Sequence, residues 1–155
     1  MSAEPIPARA GRIRRLCSLI EGPADAWLLC RMAPWAVVLP LLKHVVRLET
    51  LAHLMWTEAE SKNSPEATKI AALSRLLARS GAMSQGTCYE RSLLAYRFLC
   101  RHGADPRLVV AVRSDGEAVS AHAWVTVGGT PVDETEAVEG FVPVVVYGRG
   151  GLREE

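Results

Sequence analysis

The sequence lacks several features that would define a class of protein at once. Only 6% of its 155 residues are aromatic, and its formal net charge at pH 7 is +1. Such a balance gives no strong overall attraction to nucleic acid or to an acidic membrane. The chain has 4 cysteines and no CxxC pair, which is too few for a disulfide scaffold and unlike a zinc site. We therefore expect one compact domain over residues 1–155, located in the reducing cytoplasm.

Long uninterrupted apolar runs are also missing. The densest run, Met32 to Leu42, is too short to span a bilayer and contains Pro34 and Pro40. Glu4 and two early prolines do not fit a signal peptide. The sequence therefore predicts a protein with no membrane span.

Helical patterns dominate residues 1–82. Pro23 is expected to begin a helical piece, Pro34 and Pro40 to bend the chain, and residues 41–60 to form one amphipathic helix. Another helix is expected to follow the Ser64-Pro65-Glu66 signal. This helical N-terminal lobe is predicted to cover a sheet, and the alternative is a docking surface for a peptide.

The stretch from Ser84 to Gly103 is typical of a capped helix. Thr87 followed by Glu90 is a capping box, which makes Cys88 the first helical residue, and Gly103 fits the left-handed C-terminal cap. Two sets of residues define the expected faces, an apolar one of Leu94, Ala95, Phe98 and Leu99 and a polar one of Glu90, Arg91, Arg97 and Arg101. A thiol at a helix N-terminus is stabilised as the thiolate, the form that attacks carbonyl carbon. Alternatively, Cys88 is a small core hydrophobe.

After Gly103 the pattern changes to that of an antiparallel sheet. Residues 107–113 form a continuous apolar run typical of an interior strand, and Val119 to Val127 alternates. Gly128-Gly129 predicts a two-residue turn, a third strand follows through Val132 and Asp133, and residues 141–147 predict a fourth. The RGGLREE tail is expected to be frayed. The catalytic helix and sheet would occupy residues 83–147.

The turn fixes a register that groups two polar side chains. If Val127 pairs with Thr130, His122 and Asp133 are diagonal neighbours on one face. His122 would then act as the base toward Cys88, with Asp133 orienting its imidazole. The backbone N–H of Cys88 and the side chain of Gln85 are candidate oxyanion donors.

Each of these residues also has a structural interpretation. His122 could be a satisfied strand histidine, Asp133 a turn-flanking residue and Gln85 a surface loop residue. Metal binding by Cys88, His122 and Asp133 lacks a fourth ligand, so no metal is predicted.

The segments TCYERSLLAYRFLCRHGADPRLVVAV, AHAWVTVGG and PVDE, within about residues 83–134, together resemble the protease half of the lasso-peptide biosynthesis B proteins. That resemblance implies an α+β, transglutaminase-like (papain-like) core, with an antiparallel sheet packed on the catalytic-cysteine helix behind a helical lobe. Carried over by motif, Cys88 is the nucleophile, His122 the base and Asp133 the orienting acid.

The implied activity is a leader peptidase that needs no cofactor. Its substrate would be a ribosomally made precursor peptide, presented by a separate leader-recognition protein, and its product would pass to the lasso cyclase. Two alternatives stay open: acyl transfer to an amine through the same thioester, and a non-catalytic peptide-binding scaffold.

Overall fold

The computed structural model describes residues 19–60, 67–80, 88–116, 118–132 and 138–154. In these ranges the helices are α1 (Pro23–Val45), α2 (Leu48–Met55), α3 (Ala67–Ser80) and α4 (Cys88–Arg101), with a 3₁₀ turn at Arg149–Gly151. The strands are β1 (Pro106–Ser114), β2 (Val119–Val127), β3 (Thr130–Pro131), β4 (Val142–Tyr147) and β5 (Arg153–Glu154). The prediction of helices followed by an antiparallel sheet is confirmed.

Helix α4 is the centre of the molecule. Its first described residue is Cys88, and it buries residues on all sides, including Tyr96 and Phe98. At its end, Gly103 has a φ of 80°, and the N–H groups of Gly103 and Ala104 donate to the carbonyls of Cys100 and Leu99. This is the left-handed cap that the sequence predicted.

None of the four residues of the predicted polar face of α4 is fully exposed, since Glu90 and Arg91 are buried and Arg97 and Arg101 are partly buried. Glu90 is 4% exposed and binds Lys43 of α1, with 2.6 Å between Oε1 and Nζ. The Arg97 guanidinium lies 4.1 Å from the centre of the Trp35 ring. Helix α4 contacts α1 and α3 as well as the sheet, and Glu90 and Arg97 make these contacts with side chains of α1.

Helix α1 differs from its prediction, because both Pro34 and Pro40 lie inside one continuous helix. A proline within a helix removes a hydrogen bond, and tertiary packing has to compensate. Here Leu28, Met32 and Leu39 are inserted into the main core. By length and composition alone, the 23-residue α1 is long and apolar enough to cross a membrane, and the expectation of no membrane span stays a prediction.

The single helix predicted over residues 41–60 is also wrong. The backbone at Val46 and Arg47 is extended, which separates α1 from α2. Helix α2 then buries Leu51, Ala52 and Met55. The break redirects the chain, so the apolar periodicity continues on a helix with a new direction.

The sheet has the order β3-β2-β1-β4-β5, so β1 is interior as predicted. Gly128 and Gly129 have φ values of 58° and 83°, Val127 pairs with Thr130, and the Val132 N–H donates to the Val125 carbonyl at 2.9 Å. The predicted hairpin register is therefore confirmed as far as Val132.

The C-terminal segment is ordered, contrary to the expectation of a frayed tail. Strand β5 pairs with β4, and Arg107 binds Glu154 with 2.8 Å between Nε and Oε2. Gly151 is buried against α2, where an added Cβ would lie 2.5 Å from the Ala52 carbonyl oxygen. A glycine at this position therefore allows the backbones to approach, a role that composition alone does not reveal.

Candidate active site

Cys88 occupies the first residue of α4 and is partly exposed. The N–H groups of the first helical turn have no partner within the helix, and the helix dipole adds positive character there. The thiol is thus placed where a helix favours an anion. The proposed N-cap residue, Thr87, lies outside the described residues.

His122 lies in the middle of β2 and is 9% exposed. Its ring stacks on Trp124, with 5.8 Å between ring centres, and contacts Phe141 at 5.3 Å. Strand alternation places His122 and Trp124 on one face of β2, where Phe141 also packs against Trp124. Val125, on the other face of β2, contacts the core around α4. The two aromatic neighbours restrict the orientation of the imidazole.

Cys88 and His122 line the same cleft, which has a volume of about 290 Å³. Its remaining walls are largely apolar and come from α1, α2, α4, β1, β2 and the connection between α1 and α2. The apolar and aromatic residues are Val46, Leu48, Leu51, Tyr89, Val110, Ala121 and Ala123, and Lys43 is the charged residue. The structure therefore brings the predicted nucleophile and base to one surface opening. An apolar cleft of this size can receive a side chain of a peptide.

Ser92 connects the two elements that carry these residues. Its hydroxyl is 3% exposed, and its Oγ lies 2.8 Å from both the Cys88 and the Ala123 carbonyl oxygens. One hydroxyl proton is shared between two acceptors, one in the first turn of α4 and one beside His122. The sequence did not single out Ser92, because no local pattern indicates a contact between residues 31 positions apart.

Tyr89 is a second residue that the sequence did not single out. Its hydroxyl is buried and makes no hydrogen bond to the residues that the structure describes. Burial raises the pKa of Tyr89 far above its usual value. The phenol therefore stays protonated in the cleft and keeps a proton to donate.

Asp133 and Gln85 lie outside the described residues, so their placement relative to Cys88 and His122 stays a prediction. The residues on either side of the 133–137 segment are described, however. Val132 and Val138 line one narrow gap together with His122 and Arg91.

Metal-ligating residues do not cluster in the described ranges, since no three His, Cys, Asp or Glu side chains there are arranged to hold an ion. Among the described residues, the polar groups at the cleft include the Cys88 thiol, the His122 imidazole, Tyr89 and Lys43, which binds Glu90.

The fold and the cleft define an α+β protein with a cysteine at the start of its central helix. The family model of the transglutaminase-like superfamily matches residues 26–146. The chain belongs to this superfamily, and the predicted fold class is confirmed. Comparisons with curated proteins and with solved structures each gave no match.

Proposed function

We propose that this chain is a cysteine endopeptidase that removes the leader from a ribosomally made lasso-peptide precursor. The observation that carries the proposal is the shared cleft, in which Cys88 at the start of α4 and His122 on β2 meet an apolar wall. Membership of the transglutaminase-like superfamily supports thiol acyl chemistry. The lasso precursor as substrate rests on the resemblance of the three segments described above.

The chemistry follows from the roles of two side chains. The Cys88 thiolate attacks the carbonyl carbon of the scissile peptide bond, and the His122 imidazolium gives its proton to the leaving amine as the C–N bond breaks. Water then attacks the thioester, and His122 accepts the proton of that water. The acyl group leaves as a carboxylic acid and Cys88 is regenerated.

Asp133 is proposed to hold the imidazole of His122. Its chain neighbour Val132 lines a gap with His122, which supports this role. An aspartate there would fix one ring tautomer and stabilise the imidazolium formed during the reaction. Gln85, three residues before Cys88, is proposed as an oxyanion donor beside the Cys88 backbone N–H.

The cleft supports a peptide rather than a small polar substrate. Its apolar residues favour an aliphatic or aromatic side chain next to the scissile bond, while Lys43 is already neutralised by Glu90. A short cleft of this kind gives limited affinity by itself. We therefore propose that a separate leader-recognition protein delivers the precursor in the cytoplasm and that the lasso cyclase receives the released core.

The test is mass spectrometry of a candidate precursor incubated with this chain and a candidate recognition protein. We expect cleavage at one site by the parent, and none by Cys88→Ala or His122→Ala. The matched controls, Cys30→Ser and His44→Ala, change an exposed cysteine and an exposed histidine of α1 and should cleave normally. Circular dichroism should be the same for all five proteins.

Three outcomes would contradict the proposal in different ways. Cleavage by Cys88→Ala at the parental rate would remove the thiol mechanism. An amide product formed with an added primary amine, without hydrolysis, would assign the chain to acyl transfer. Tight precursor binding with no product from the parent would indicate a scaffold.

A further inference from the structure

Helix α1 carries a second apolar surface that faces away from the core. Its inner face buries Leu28, Met32 and Leu39, whereas its exposed uncharged residues recur at helical spacing on the other side. We call them the outer stripe: Trp27, Cys30, Pro34, Val37, Val38, Leu41 and Val45. A helix apolar on two faces is expected when both faces are covered.

The exposure of the outer stripe is unusually high for large apolar residues. Trp27 is 67% exposed, Val37 70%, Leu41 59% and Val45 80%. An aromatic side chain such as Trp27 covers about 150 to 250 Å², and the aliphatic side chains of the stripe cover less. Weighted by their exposed fractions, the residues of the stripe together offer roughly 600 Å². Two such stripes in contact would bury about 1,200 Å², the lower end of stable protein interfaces.

Charge on α1 favours a protein partner over an anionic lipid surface. The two Lys and Arg residues of the helix are already paired within the chain: Arg31 with Glu60 at 3.2 Å, and Lys43 with Glu90 at 2.6 Å. Helices that lie on anionic membranes use such cations to bind headgroups. The outer stripe itself contains no ionisable acid or base other than the Cys30 thiol.

The order of residues along the stripe makes it self-complementary. If two copies of α1 lie antiparallel about a two-fold axis near residue 36, Trp27 meets Val45, Cys30 meets Leu41 and Pro34 meets Val38. The largest side chain then faces a small one at each end, whereas a parallel pair would place Trp27 against itself. The stripe is about 27 Å long, which suits a shallow crossing angle of about 20°.

We propose that the outer stripe is the interface of a two-fold homodimer in which the α1 helices pack antiparallel. This arrangement leaves the cleft, on the other side of α1, open in both copies. The proposal is independent of the proposed function, because it depends on the exposed face alone.

The first test measures the mass of the full chain by analytical ultracentrifugation over a range of concentrations. We expect a dimer for the parent and an increase of at least about tenfold in the dissociation constant for Val37→Glu, since the interface would bury an unpaired charge. The matched control is Val119→Glu, because Val119 on β2 is 73% exposed and lies off the stripe. A monomeric parent, or a dimer unaffected by Val37→Glu, would overturn the proposal.

Disulfide cross-linking tests the orientation. In Leu41→Cys, mild oxidation should link position 41 of one copy to Cys30 of the other, giving a covalent dimer. Within one chain these positions are about 16 Å apart along α1, too far for a disulfide. The control Leu41→Cys with Cys30→Ser should give no such product, and equal cross-linking in both proteins would contradict the antiparallel arrangement.

Flotation with neutral phosphatidylcholine vesicles tests the other occupant. We expect no binding of the parent. Binding that is lost in Val37→Glu but kept in Val119→Glu would assign the stripe to a lipid surface and overturn the dimer.

Discussion

Ser92→Ala tests whether the first turn of α4 and the middle of β2 are held in register by one hydroxyl. The Oγ of Ser92 lies 2.8 Å from the Cys88 carbonyl oxygen and 2.8 Å from the Ala123 carbonyl oxygen. Removing it leaves the Ala123 carbonyl without this donor in a site that is 3% exposed. The expected loss of stability is about 1 kcal/mol for the net hydrogen bond, rising to about 3 kcal/mol if the carbonyl stays unsatisfied.

Ser74→Ala is a matched control within the same protein. Ser74 is also buried in a helix and donates to the carbonyl four residues earlier, Ile70, at 2.8 Å, but no second bond from it joins another element among the described residues. Both substitutions gain the same helix propensity and lose the same local bond. The difference between the two free energies of unfolding, measured with urea, therefore isolates the bond from Ser92 to β2.

The same variant has a consequence for the proposed reaction. A displacement of about 1 Å between Cys88 and His122 is enough for a loss of about 100-fold in rate. We expect Ser92→Ala to lower kcat for precursor cleavage by about 10- to 100-fold with little change in KM, and Ser92→Thr, which keeps the hydroxyl, to retain most of it. An unfolding free energy equal to that of Ser74→Ala together with an unchanged kcat would refute the reasoning.

Three further predictions concern single side chains. Tyr89→Phe should leave the free energy of unfolding unchanged or slightly raised, because the buried hydroxyl makes no hydrogen bond to a described residue. A lower kcat for precursor cleavage in this variant would identify the Tyr89 hydroxyl as a donor to the substrate. Burial raises the pKa of Cys100 to about 11, so its thiol should react slowly with iodoacetamide at about pH 8. In a variant with Cys17 and Cys30 changed to Ser, the reagent should therefore modify Cys88 in the folded protein. It should modify Cys100 only after urea unfolds the chain. The hydrogen bond from Lys69, and then the one from the Glu21 N–H, lower the pKa of Asp25. The stability that the Asp25 carboxylate contributes is therefore present above about pH 4. It is lost as the pH falls through the lowered pKa of the folded state. The urea midpoint of unfolding should therefore fall less steeply with decreasing pH in Asp25→Asn than in the parent. If the midpoints of the two proteins fall in parallel with decreasing pH, the assignment to Asp25 is wrong.

The sheet was predictable from sequence because its signals are local. Alternation from Val119 to Val127 and the Gly128-Gly129 pair determine which residues share a face and which pair across the turn. The helix start at Cys88 is likewise indicated by a local signal, a capping box formed by Thr87, one residue before Cys88, and Glu90, two residues after it. For this reason local sequence signals are enough to indicate Cys88 and His122 as candidate site residues.

The helical half was less predictable because its outcome depends on contacts that are distant in sequence. Pro34 and Pro40 predict bends, yet packing of Met32 and Leu39 against the core keeps α1 continuous. Ser92 shows the same limit within the candidate site. Its contact with Ala123 joins residues 31 positions apart, and no local pattern specifies that distance.

The cleft also changes how the N-terminal helices should be understood. The sequence suggested a lobe over residues 1–82 that covers a separate catalytic part, but Lys43, Leu48 and Leu51 of that lobe line the same cleft as Cys88 and His122. Glu90, two residues after the thiol, is bound by Lys43 from α1. A buried ion pair costs desolvation energy, and breaking it by removing one partner leaves the other charge uncompensated. The start of the cysteine helix is therefore held by α1 as well as by the sheet. Helix α1 carries the outer stripe on one side and contributes Lys43 to the wall of the candidate active site on the other.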